Sequence, residues 1–222
     1  MKTLVLYSTV LGHFYEESDA MKRAIEAARN ETGDDLWKRG YTGSDPRGAT
    51  AIAMKYLREA QVEPITPEGR LKLVNYVLNR DAAGNDYPKL RVGIVTEDGR
   101  RLLLSLDLKS DVAQRLLGKL ANCHQGEFIK VSAWATPVDR GGRTFINHAV
   151  SVKDAEGKEV PVDSEFSGSV KTVCDGVEAT LIAAGIKDKK VLATAKVTKR
   201  VDVYKEFLMQ LANRFPVPSP QA

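Results

Sequence analysis

Four groups of residues in this 222-residue chain have types that could do chemistry, and three of them lack the spacing that their chemistry needs. Asp98, followed by Asp107-Leu108-Lys109, offers two carboxylates for a divalent ion and a lysine beside them, the residue types of a metal-dependent nuclease. Asp98 falls at the tip of an expected hairpin and Asp107 nine positions along the strand that leaves it. At about 3.3 Å per residue they stand about 30 Å from each other, whereas both must touch one ion at about 2.1 Å. The run Ser8-Thr9-Val10-Leu11-Gly12-His13 lies between an expected strand and helix, where backbone N–H groups could hold a phosphate. It has a single glycine, and the chain turns to hairpins instead of repeating the β-α-β unit of a doubly wound nucleotide fold. Cys123-His124, His148 and Cys174 could ligate zinc, but no second pair stands at ligand spacing, and neighbours such as Cys123 and His124 seldom face one another as nucleophile and base. The expectation is a binding protein and not an enzyme, with no metal, no cofactor and no catalytic set.

The fourth group is spread over strand-like segments and shares a direction. In Phe128 to Thr136, alternation sends Ile129, Val131, Ala133 and Ala135 to one face and Phe128, Lys130, Ser132 and Trp134 to the other. In Arg143 to Val152, Ile146, His148, Val150 and Val152 share the inner face, which leaves Phe145, Asn147, Ser151 and, just beyond, Lys153 outside. Arg91 and Arg101 take outward positions on two earlier strands, and Arg80, Tyr87, Arg140 and Arg143 fall in the loops that flank the strands. Rings and cations on one face are what a single-stranded polynucleotide needs. Any base can stack on a ring, and each Lys or Arg can neutralise a phosphate. A competing reading packs Phe128, Trp134 and Phe145 beneath the terminal helices, since large aromatics are more often buried than functional.

These residues need elements to position them. The pattern predicts a strand over Thr3 to Tyr7, helices over Glu16 to Arg29 and Ala49 to Ala60, and then strands over Leu71 to Asn79, Leu90 to Thr96 and Arg101 to Leu108. Asp98-Gly99 is the best hairpin signal. A helix over Asp111 to Leu120 follows, with Val112, Leu116, Leu117 and Leu120 in one stripe, and then the two strands joined by a loop from Pro137 to Gly142. Three strands, a helix and two strands is the connectivity of a five-stranded antiparallel OB-type β-barrel, so the expected fold is α+β, with that barrel at its centre and helices on both sides. The corresponding organisation is a mostly helical extension over 1–70, the barrel over 71–162, a helical segment over 163–215 and an extended Pro-rich tail over 216–222.

With 43% hydrophobic residues the chain can bury a core without disulfides or metal. Two cysteines without a C-x-x-C partner suit a reducing compartment, the longest apolar runs fall well short of a membrane span, and the start lacks the pattern of a secretory signal, so a cytoplasmic location is expected. The net charge of +4 says little, but its distribution is informative. From Leu71 to Lys153 there are 13 basic against 8 acidic residues, and from Lys187 to Lys205 there are 7 against 2. Asp154, Glu156, Glu159, Asp163 and Glu165 cluster between the two basic stretches.

The run Leu90 to Lys158, with its Glu97-Asp98-Gly99 hairpin, its Leu-rich strand, the helix Ala113-Gln114-Arg115-Leu116-Leu117-Gly118-Lys119-Leu120 and the strand Phe145-Ile146-Asn147, resembles bacteriophage single-stranded-DNA-binding proteins of the OB class. The likeness covers about a third of the chain and is one of pattern. The resemblance implies a protein that coats exposed strands during phage replication or recombination, RNA being admitted by the same chemistry. It also implies association with replication or recombination proteins and self-assembly along the strand. Many such proteins end in an acidic tail that recruits partners. Here the tail is Pro-rich and uncharged, and the acidic cluster is internal. Two alternatives remain, the metal-dependent nuclease and a module whose aromatic face meets another protein.

Overall fold

A computed structural model describes residues 2–81 and 83–216. All but the first residue of the Pro-rich tail lies outside this range. Seven strands form one mixed sheet: β1 (Lys2–Ser8), β2 (His13–Glu16), β3 (Glu68–Arg80), β4 (Asp86–Val95), β5 (Arg101–Asp107), β6 (Phe128–Arg140) and β7 (Arg143–Lys153). Their order across the sheet is β2-β1-β5-β4-β3-β6-β7. The helices are α1 (Asp19–Thr32), α2 (Asp34–Trp37), α3 (Ala49–Glu59), α4 (Asp111–Leu120), α5 (Ser164–Ala183) and α6 (Lys189–Ala212).

The expected five-stranded antiparallel OB barrel is not what forms. The neighbours β5-β4-β3-β6-β7 pair antiparallel, but the outer edge of β5 is taken in parallel by β1, with Lys2 opposite Arg101 and Val5 opposite Leu104. With that edge occupied the five strands cannot close on themselves, and the seven-stranded sheet curls into a half-barrel. The physical reason is the apolar run Leu4-Val5-Leu6, whose backbone groups need a partner and find one about a hundred residues away.

Side chains bridge the remaining gap. The turn after β1 brings Gly12, at φ +74°, so close to β6 that a Cβ there would lie 2.8 Å from both the Ala135 backbone nitrogen and its Cβ. The Tyr7 hydroxyl and His148 Nδ1 share a hydrogen bond of 2.7 Å between β1 and the inner face of β7. β3 serves two partners, pairing with β6 over Glu68–Arg70 and with β4 from Arg70 onward. Gly69, at φ +141°, sits at that changeover, where the Val95 carbonyl oxygen would lie 2.3 Å from any Cβ.

The concave side holds the main core. Leu90, Val92 and Ile94 of β4, Leu102, Leu104 and Leu106 of β5, and Ile129, Val131 and Ala133 of β6 alternate into it. α4 fills it with Val112, Leu116, Leu117 and Leu120. Ser110 caps this helix by accepting from the Ala113 backbone N–H at 3.2 Å. The end of α6 adds Leu208 and Leu211, and Phe215 follows. Lys119 of α4 is also buried, and its ammonium donates to Glu159 at 2.5 Å and to the Val160 carbonyl at 2.9 Å. The internal acidic segment therefore supplies the counter-charge of a core lysine. A second core joins Tyr15 of β2 to Met21, Ala24 and Ala28 of α1 and to Ala49, Ala53 and Leu57 of α3.

Candidate nucleic-acid interface

β6 and β7 continue past the rest of the sheet as a two-stranded ribbon. β3 leaves β6 after Lys130, whereas the β6–β7 pairing runs on to Arg140 opposite Arg143. The loop expected from Pro137 to Gly142 is thus mostly strand. Pro137 is tolerated because its edge has no ladder partner, and the turn shrinks to Gly141-Gly142, both at positive φ (57° and 74°), as a two-residue hairpin requires.

Directly opposed residues in an antiparallel pair share a face, so the register defines what the ribbon displays. Lys130 stands opposite Lys153, Trp134 opposite Ala149, Thr136 opposite Asn147, Val138 opposite Phe145 and Arg140 opposite Arg143. All of these lie on the outer side, away from Val131 and Val152. Seven of the twelve residues singled out from the sequence are thereby brought onto one face: Lys130, Trp134, Arg140, Arg143, Phe145, Asn147 and Lys153. Trp134 is 41% and Phe145 52% exposed, and no other Trp, Phe or Tyr among the described residues is classed as exposed. The small Ala149 opposite Trp134 gives that ring little cover.

Charge on the ribbon is uneven. Lys130 is held by Glu68 at 2.8 Å, whereas Arg140, Arg143 and Lys153 have no ion pair among the described residues. Asn147 accepts from the Arg115 guanidinium of α4 at 2.8 Å, a cation outside the twelve residues singled out from the sequence.

The other five expected residues stand elsewhere. Arg80 is clamped by Asp86 through two bonds of 2.7 and 3.1 Å, which hold the Asp86 carboxyl below its ordinary range. The Tyr87 hydroxyl donates to Asp81 at 3.0 Å, and the Asp81 carboxylate also accepts from the Ala83 and Asn85 backbones, so this hairpin end is braced by its own side chains. Arg91 is half-buried on the outer face of β4, between Asn75 and Ser105, and its Nε is buried with no hydrogen-bond partner. Arg101 is exposed at the start of β5. Phe128 is half-buried between two clefts in which acids outnumber cations, one with Glu16, Glu68, Glu97 and Asp98 beside Arg100, the other with Glu127, Asp154, Glu156 and Glu159 beside Lys158. The excess of carboxylates there disfavours a phosphate, and Phe128 does not join the ribbon's basic face.

The residues of the competing chemistries are also engaged. Asp98 bonds to Thr96 and to Arg100 in its hairpin, and Asp107 pairs with Lys89 at 3.6 Å. Burial pushes the Cys123 thiol up to about 11, with the nearby Glu127 charge adding to the rise, so it stays protonated near neutrality. Among the described residues no three His, Cys, Asp or Glu side chains are grouped to hold a metal ion, and no helix is long and apolar enough to cross a membrane. Comparison with known proteins finds no matching family model, no similar curated protein and no similar solved structure.

Proposed function

We propose that this protein binds single-stranded DNA without sequence preference, along the outer face of the β6–β7 ribbon. One observation carries the reading: the two exposed aromatic rings among the described residues, Trp134 and Phe145, share a face with the unpaired cations Arg140, Arg143 and Lys153. The rings are offset by four positions along the paired strands, about 13 Å, so different bases of one strand would stack on them while the cations, which stand beyond either ring, meet the flanking phosphates. Such strands are exposed in replication and recombination, and the two free, buried cysteines suit the cytoplasm.

A mobility-shift assay with an end-labelled single strand, run with and without magnesium, tests the reading. The strand is expected to be retarded under both conditions and to keep its length. Shortening that depends on magnesium would instead establish a nuclease, and an absence of any salt-sensitive shift would leave the aromatic face to a protein partner.

A further inference from the structure

The α5–α6 hairpin stands beside α4, and between them opens a cleft of ≈ 570 Å³. Four cations line it: Arg115 of α4, Lys171 of α5, and Lys196 and Arg200 of α6. The acids on its walls are Asp111 and Asp175. Asp175 is engaged by Lys196 at 3.3 Å, and Lys196 also binds Glu178 at 2.6 Å, so that group keeps one negative charge. Arg115, Lys171 and Arg200 have no ion pair among the described residues, and against Asp111 and the residual charge of that group they leave a net charge of +1. Tyr204 lines the cleft, and its ring packs edge-on against Phe166 at 5.3 Å. The cleft therefore pairs an excess of positive charge with one fixed aromatic ring.

Its position gives it a ligand. Arg115 lines the cleft and also donates to Asn147, which lies on the ribbon's outer face two positions from Phe145. Asn147 stands between Phe145 and Trp134 along the ribbon, so a chain that leaves the ribbon at Asn147 meets Arg115 and then the cleft. Basic residues continue along α6, where Lys187 to Lys205 holds 7 cations against 2 acids.

We propose that this cleft is a second phosphate-backbone site, which takes the continuation of the strand held on the ribbon. The proposal rests on the single-strand reading above. A strand short enough to be held by the ribbon alone gains nothing from the cleft, whereas a longer one places phosphates beside Lys171 and Arg200.

Anisotropy titrations with oligo(dT) of about 6 and about 16 nucleotides, within the range that single-strand sites span, separate the two surfaces. The double variant Lys171→Glu/Arg200→Glu is compared with wild type and with Arg23→Glu/Arg58→Glu, an equal change of net charge on the exposed surface of α1 and α3. For the long strand, the cleft variant should bind about tenfold or more weakly at 0.1 M salt. Its plot of log affinity against log salt should flatten by about 1.4, from about 0.7 per lost phosphate contact. The α1/α3 variant should match wild type. Lys171→Gln/Arg200→Gln, which introduces no new charge, should flatten the long-strand slope to a similar extent with a smaller loss of affinity. If wild type binds both lengths and the cleft variants follow wild type on both, the cleft is overturned and the ribbon stands. If wild type binds neither length, both proposals fall.

Discussion

At the scale of single residues, exposure and charge pairing separate side chains that look alike in sequence. Trp134 and Phe128 are aromatic and outward on the same strand, yet Trp134 faces Ala149 and solvent, whereas Phe128 lies between carboxylates. Arg80 and Arg140 both end a strand at a hairpin, yet Arg80 is bound to Asp86 and Arg140 is not paired. A ring stacked on a base contributes roughly 1 to 3 kcal/mol, so Trp134→Ala should weaken oligo(dT) binding by about fivefold to a hundredfold. Because the side chain is 41% exposed on the outer face of the ribbon, away from Ala133 and Val150, thermal unfolding of the variant should stay close to wild type. Titration beside a melting curve checks both. An unfolded variant would mean that the indole serves packing.

At the scale of elements, the ribbon is the unit that matters, and its tip is expected to track phosphates. Arg140→Ala/Arg143→Ala should flatten the dependence of log affinity on log salt by up to about 1.4, with similar losses for oligo(dT) and mixed-sequence strands. A wild-type slope in this variant would remove the tip from the binding path. Much of the ribbon was legible beforehand, because alternation of Ile129, Val131 and Ala133 with Lys130 and Trp134 fixes the outward side of a half-buried strand. Its length was not, since Pro137 and two glycines read as a loop wherever the unpaired edge that tolerates proline is unknown. β2 escaped notice because Phe14 and Tyr15 are both buried, one against the half-barrel core and the other against α1 and α3, which erases the period of two. Tyr204, Phe207, Leu208 and Leu211 on one side predict a helix only over Val203 to Phe215, and the first half of α6 is missed because Lys189 to Arg200 contributes little more than Leu192 to the buried side and carries no apolar stripe.

At the scale of the whole molecule, what decides the architecture is non-local. No local pattern announces that β1 will pair in parallel with β5, and that pairing turns a five-stranded closed barrel into a seven-stranded half-barrel joined at its seam by Tyr7, His148, Gly12 and Ala135. The seam carries a pH signature. Burial lowers the His148 pKa, and although nearby Asp111 opposes this, Arg115 adds to it. A histidine held below its ordinary value contributes stability above about pH 6.5, and loses it as pH falls from there through the folded-state value. The melting temperature should therefore decline between about pH 7 and pH 5, and His148→Gln should remove that part of the decline. An unchanged pH profile in the variant would mean that the seam histidine is not the titrating group. The central claim, that a single strand lies across the ribbon, is tested most directly by the fluorescence of Trp134 in a Trp37→Phe background, where it is the sole remaining tryptophan. Oligo(dT) and mixed-sequence single strands should quench this emission to saturation, and added salt should restore it. Emission that stays constant while anisotropy of the labelled strand reports binding would place the strand elsewhere on the protein and contradict the account.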